Sequence, residues 1–271
     1  MKRVLAALFM LPLIGAHGFG DTSAATRLRV LTYNIHHGEG TDGVFDLARI
    51  AGIVKGAEPD LVALQEVDEH TQRTGGVDEL DELQRLTAMN ARFGKAMAYS
   101  GGDYGVAVLS RWPILSADNE PLPSSADREP RTALTVRIRA GEGGPLVQFT
   151  CTHLDQGRDE QDRLEQAAYL NSTEAHDGVP AILAGDMNSR PDTQVMKTLE
   201  SEWTDAAQAA EPSLLADLSL TVPAARPRYR PDYVMFRPAN SWRVLESTVI
   251  DESVASDHRP VLAVLEWAGL R

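Results

Sequence analysis

The chain alternates between short continuous apolar runs and polar stretches, and six of the runs abut residues able to bind metal or move a proton. Val30-Leu31-Thr32-Tyr33 leads into Asn34, and Leu61-Val62-Ala63-Leu64 into Gln65-Glu66. Val147 to Thr152 leads into His153 and Asp155, and Ala181-Ile182-Leu183-Ala184-Gly185 into Asp186 and Asn188. Asp232 introduces Tyr233 to Phe236, and Ser256-Asp257-His258 introduces Val261 to Leu265. Runs of this length, rich in Val, Ile and Leu, read as strands buried on both faces. If their polar ends meet on one edge, they form a carboxylate, amide and imidazole cluster suited to metal-assisted hydrolysis.

Further strands are predicted at Gly105 to Leu109, Thr132 to Ile138 and Trp242 to Ile250. The intervening segments carry helical spacing. Asp46 can cap a helix with Leu47, Ile50, Ala51 and Val54 on one face. Leu80, Leu83 and Leu86 mark a second helix, and Leu164, Ala167, Ala168 and Leu170 a third. Pro191 in a first turn, followed by Val195, Met196 and Leu199, predicts a fourth. Thr71 to Glu79, Ser116 to Pro130 and Glu211 to Arg230 lack periodicity and read as loops, expected to select substrate at the site's edge.

Lys2 and Arg3, an apolar stretch from Val4 to Ala16 and small residues up to Ala25 have the form of a secretory leader. The expected organisation is a leader over 1–25, cleaved near Ala25 or retained as an anchor, and one catalytic domain over 26–271. This places the protein outside the cytoplasm, secreted or periplasmic. The single cysteine, Cys151, excludes an intrachain disulfide and sits in a strand run, as a small buried residue would. The net charge of -13 counts against nucleic acid as the main partner, since tight non-specific binding needs a basic surface. No basic amphipathic helix supports strong adsorption to anionic membranes, which leaves transient contact with lipid open. Nothing in the sequence calls for an obligate protein partner. Gly-x-Ser-x-Gly and phosphate-loop patterns are absent.

Seven stretches occur in one order between about residues 28 and 265: Thr32-Tyr33-Asn34, Leu64-Gln65-Glu66-Val67, Val108 to Pro113, Thr152 to Asp155, Gly185 to Asn188, Pro231 to Val234 and Ser256 to Pro260. In these stretches the chain resembles the endonuclease/exonuclease/phosphatase superfamily of deoxyribonuclease I-like metal-dependent phosphohydrolases. The resemblance implies an α/β fold, a four-layer α/β/β/α sandwich of two packed mixed sheets flanked by helices. It also implies a divalent-metal-dependent phosphoester hydrolase, in the first place a phosphodiesterase. The alternatives are a phosphomonoesterase acting on small phosphates or lipid head groups, and a catalytically silent binding module of the same fold.

Each candidate residue has a role its chemistry allows. Glu66 is the first metal ligand, a carboxylate suited to Mg²⁺ with retained waters. Asn34 offers an oxygen to the metal and a donor to phosphate. Where the family often has aspartate two positions later, this chain has His36, a softer ligand that could favour Mn²⁺ or another transition metal over Mg²⁺; His37 reads as its exposed neighbour. Asp186 can orient and deprotonate the attacking water, with Asn188 holding that water or a phosphoryl oxygen; His258 as the base remains an alternative. The resemblance gives Asp232 the task of orienting His258 and leaves Asp257 free to approach the metal. His153 is a candidate for binding the phosphate or protonating the leaving group. Arg131 can contact phosphate or pair with Glu129. Tyr104 and Asp155 are weaker candidates, Asp155 as an orienter of His153 or of the adjacent loop.

Overall fold

A strand that is apolar on both sides needs cover on both faces, and the architecture supplies it. The computed structural model describes residues 26–173, 178–210 and 220–269; the expected leader lies outside them. One six-stranded sheet contains β1 (Arg27–Asn34), β2 (Leu61–Glu69), β3 (Asn90–Tyr99), β4 (Gly102–Ser110), β11 (Trp242–Val249) and β12 (Val261–Trp267), in the order β11-β12-β1-β2-β4-β3. The other contains β5 (Ile114–Pro121), β6 (Thr132–Arg139), β7 (Leu146–His153), β8 (Ala181–Asp186), β9 (Thr204–Asp205) and β10 (Asp232–Arg237), in the order β5-β6-β7-β8-β10-β9. Among the described residues, β1 with β2 and β7 with β8 pair in parallel and the other strand pairs are antiparallel. The expected mixed-sheet α/β sandwich is the observed fold.

The period-two alternation of side chains partitions each run between two cores. Leu28, Val30, Leu61, Ala63, Val106 and Val108 of the first sheet meet Leu134, Val136, Phe149, Cys151, Ile182 and Phe236 of the second. Leu31, Tyr33, Val62 and Leu64 face outward and are covered by α1 (Leu47–Ala57) and α2 (Glu79–Thr87) through Ile50, Val54 and Leu83. Leu183, Tyr233 and Met235 are covered by α3 (Gln161–Ser172) and α4 (Gln194–Glu200) through Ala167, Leu170, Val195 and Leu199. Asp46 caps α1 as expected, accepting the Arg49 N–H at 2.9 Å.

Two predictions are corrected. Residues 114–121, inside a stretch read partly as loop, form edge strand β5, with Ser116 to Pro121 all exposed. A strand with one sheet neighbour and no cover shows no apolar alternation, and polar residues blunt its free edge. The fourth helix begins at Gln194, not around Pro191; Thr193 caps it by accepting the Met196 N–H. Residues 211–219 of the third predicted loop lie outside the described residues.

Phe149 fills the space between the sheets with no exposed surface. Phe149→Ala is expected to lower unfolding free energy by about 3–5 kcal/mol in urea titration, and a loss under about 1 kcal/mol would contradict the intersheet packing.

Candidate active site

Sheet register places the chemistry at one edge. The parallel pairs bring Asn34 beside Gln65 and His153 beside Asp186 at their carboxyl ends. Antiparallel β10 starts at that edge, with Asp232 opposite Asp186, and β12 starts with Val261 opposite Thr32. His258 therefore arrives just before β12 on the same side. Gly185 permits the closest approach: a Cβ there would lie 2.0 Å from the Thr152 carbonyl oxygen of the neighbouring strand.

Asp186 is the centre, with 1% of its surface exposed. Its Oδ1 accepts the Asn188 backbone N–H at 2.8 Å. Its Oδ2 accepts from the Asn34 amide at 3.2 Å and faces Nε2 of His153 at 3.5 Å and Nε2 of His258 at 3.7 Å. Asn188, in left-handed backbone at φ 47°, ties its amide to the Leu154 carbonyl at 2.9 Å. Burial, ahead of the attraction of His258 and the repulsion of Asp232, pushes the Asp186 carboxyl up to about 7.

The two imidazoles are in opposite states. Arg131 Nη1 lies 3.1 Å from His153 Nδ1. A guanidinium can only donate, so Nδ1 accepts and the proton sits on Nε2, toward Asp186. Burial, then the charges of Arg131 and His258, hold His153 well below the ordinary imidazole range. His153 is thus a neutral imidazole that presents Nε2–H toward Asp186. His258 Nδ1 lies 3.0 Å from Oδ2 of Asp232, which also accepts from Thr221. Burial opposes its charge, but Asp232, Asp186 and Asp257 outweigh it and raise His258 to about 10. The expected Asp232–His258 pair is present.

Glu66 stands where β2 bulges between Gln65 and Val67, with φ 57°. The bulge turns its carboxylate to accept from Asn34 at 3.0 Å, so one amide bridges Glu66 of the first sheet and Asp186 of the second. The Asn34 oxygen, expected on the metal, accepts the His36 N–H at 3.1 Å. His36, His37 and Glu66 offer ligand atoms within 4.8 Å of one another, and Asp186, Asp232 and His258 form a second such group. The half-buried Glu66 oxygen beside neutral donors fits a divalent cation, whereas the second group is already joined by the His258–Asp232 hydrogen bond. His37 is not the exposed neighbour expected; its side chain is 12% exposed. Asp257 belongs to neither group, and its Oδ1 lies 3.4 Å from Ser256 Oγ.

Arg131 is buried, ion-paired with Glu129 at 2.8 Å, and keeps Nε and Nη2 without a hydrogen-bond partner among the described residues. Both expected uses of this guanidinium remain open to it. Tyr104 forms a wall beside it, with its hydroxyl 3.4 Å from Arg131 Nη1. Arg73, from the first predicted loop, clamps buried Asp68 with two hydrogen bonds and lies over the Tyr99 and Tyr104 rings. Asp155 orients the adjacent loop by accepting the Gly157 N–H at 2.7 Å. Sequence reasoning missed Thr221 on Asp232 and gave no role to Ser256, whose hydroxyl donates to the Asn34 carbonyl at 2.7 Å. Thr221 lies in an aperiodic stretch that carried no signal for it.

The family model described as "Endonuclease/Exonuclease/phosphatase family" matches residues 31–258. The uncharacterized protein YbhP of Escherichia coli (strain K12) is 31% identical over 178 residues, covering 62% of this chain and 69% of that protein. A solved endonuclease/exonuclease/phosphatase from Beutenbergia cavernae DSM 12333 superposes with TM-score 0.74 at 26% identity, over 90% of this chain and 72% of that one. A mannosyl-6-phosphatase from Bacteroides thetaiotaomicron VPI-5482 gives 0.70 at 19% identity, over 88% and 99%; that likeness speaks to fold alone.

A histidine raised from 6.5 to about 10 adds stability that is fully present below 6.5 and is lost as pH rises through about 10. Asp232→Asn is expected to move the His258 titration, followed by imidazole NMR, toward 6.5, and to flatten stability across that window in urea titrations. An unmoved titration would show that Asp232 does not set the charge on His258.

Proposed function

The chain belongs to the endonuclease/exonuclease/phosphatase family of phosphoester hydrolases, and on that premise we propose that it is a divalent-metal-dependent phosphodiesterase in which Asp186 activates water. The observation that carries this reading is the placement of Asp186 between Asn34, His153 and His258, with Asp232 behind His258.

A cation held at Glu66, with Asn34 and His36 beside it, supplies neutralisation of charge on the phosphoryl oxygens when bound. The remaining work falls to the chain itself. Asn188 fixes one Asp186 oxygen through its N–H, leaving the other to orient a water and take its proton. A carboxyl pushed to about 7 is a stronger base than an ordinary aspartate and still ionises near neutrality. His258, held as imidazolium, donates to a phosphoryl oxygen as charge builds there. His153 presents its Nε2–H to a phosphoryl oxygen or to the departing oxygen, which takes up a proton as the P–O bond breaks, and Arg131, its tautomer-setting partner, has two further buried donors for the same anion. The charge on His258 favours Asp186 over His258 as the base.

The acidic charge of -13 favours small or lipid-borne esters over nucleic acid. Monoester hydrolysis of small phosphates or lipid head groups is the second reading. Export, on the pattern from Lys2 to Ala25, is part of the proposal.

Hydrolysis of bis(p-nitrophenyl) phosphate is expected with Mg²⁺ or Mn²⁺, to be abolished by EDTA, and to exceed that of p-nitrophenyl phosphate. Asp186→Asn should lower kcat by roughly a thousandfold or more with unchanged circular dichroism. Turnover at the parent rate would remove Asp186 from the mechanism, and a monoester preference would select the second reading.

A further inference from the structure

The short turn after β1 carries two adjacent histidines in a conformation that does not follow from chain reversal alone. His36 and His37 have φ of 47° and 43°, and Glu66 opposite them has 57°, so all three residues sit in the left-handed region that non-glycine residues rarely enter. Their ligand atoms lie within 4.8 Å of one another, and the two rings are 4.4 Å apart and tilted by 58°.

The hydrogen bonds show which ring atoms are free. His36 Nδ1 lies 3.0 Å from the Glu39 carbonyl oxygen, which can only accept. Nδ1–H therefore donates to that carbonyl, and Nε2 is the ring nitrogen left for a ligand. His37 Nε2 lies 3.8 Å from the Glu39 carboxylate, while its Nδ1 is buried with no hydrogen-bond partner among the described residues. Glu39 thus addresses one nitrogen of each ring, by carbonyl on His36 and by carboxylate on His37, and leaves the other nitrogen bare. A backbone carbonyl or carboxylate on the far nitrogen is how metal-bound imidazoles are oriented.

We infer that His36, His37 and Glu66 form a two-imidazole, one-carboxylate site that takes a first-row transition cation of the zinc or cobalt type in preference to Mg²⁺. Imidazole donors suit such ions, whereas Mg²⁺ prefers an all-oxygen shell. This deepens the proposed metal dependence and rests on it for the ion's part in hydrolysis; binding itself requires no turnover.

The test is calorimetric titration of the metal-stripped full chain with ZnCl₂, CoCl₂ and MgCl₂, together with the visible spectrum of bound Co²⁺. The expected result is Zn²⁺ binding at least about a hundredfold tighter than Mg²⁺ and a Co²⁺ spectrum characteristic of nitrogen ligation. His37→Asn, chosen because asparagine tolerates left-handed backbone, and His36→Gln should each weaken Zn²⁺ by at least about tenfold and alter the Co²⁺ spectrum. His70→Ala, at an exposed histidine elsewhere, should change neither. The inference is overturned by an oxygen-only Co²⁺ spectrum in the parent chain, a readout that holds even if a variant misfolds, or by Zn²⁺ affinity that both substitutions leave intact. Tight Zn²⁺ binding without hydrolysis of any phosphoester would leave this site standing and remove the phosphoesterase reading instead.

Discussion

The buried carboxylate of Asp186 is the constraint around which the site is organised. A charged oxygen removed from water is costly unless donors replace its hydration. Here they come from both sheets, the Asn34 amide from β1 and the Asn188 N–H from the turn after β8, while two imidazole edges face the same carboxylate at 3.5 and 3.7 Å. Each donor is fixed in turn by something behind it. Asn188 is anchored on Leu154, His153 on Arg131, His258 on Asp232, and Asp232 on Thr221. The network ties the two sheets together at their polar edge and surrounds a carboxyl whose burial raises its pKa.

Charge separation within this network sets the division of labour. Two histidines about equally far from Asp186 take opposite protonation states because one faces a guanidinium and the other a carboxylate. A neutral donor and an imidazolium beside one base can receive an anionic phosphoryl group without both having to lose protons. Arg131 beside His153 is itself paired with Glu129, which offsets the cost of burying a guanidinium.

The Glu66 side of the site has another logic. Its carboxylate reaches the centre only because β2 bulges, and Asn34 joins it to Asp186 through a single amide. The adjoining histidine turn makes this side nitrogen-rich. Asp186 and Glu66 therefore belong to different sheets, and their spacing depends on how the sheets pack.

The sequence by itself determined the strands that matter. Runs buried on both faces, such as Val30 to Tyr33 and Ala181 to Gly185, write their burial as uninterrupted apolar residues, and the polar residues that end them, Asn34, Glu66, His153, Asp186, Asp232 and His258, all fall at one edge. The exposed edge strand β5 left no such record, because a face in water imposes no apolar pattern. Protonation states, the bulge that presents Glu66, Thr221 behind Asp232 and the pairing of His37 with His36 were decided only by tertiary structure. Each depends on a partner distant in sequence or on a local backbone turn, and neither a pKa nor a hydrogen bond exists until folding brings those groups together.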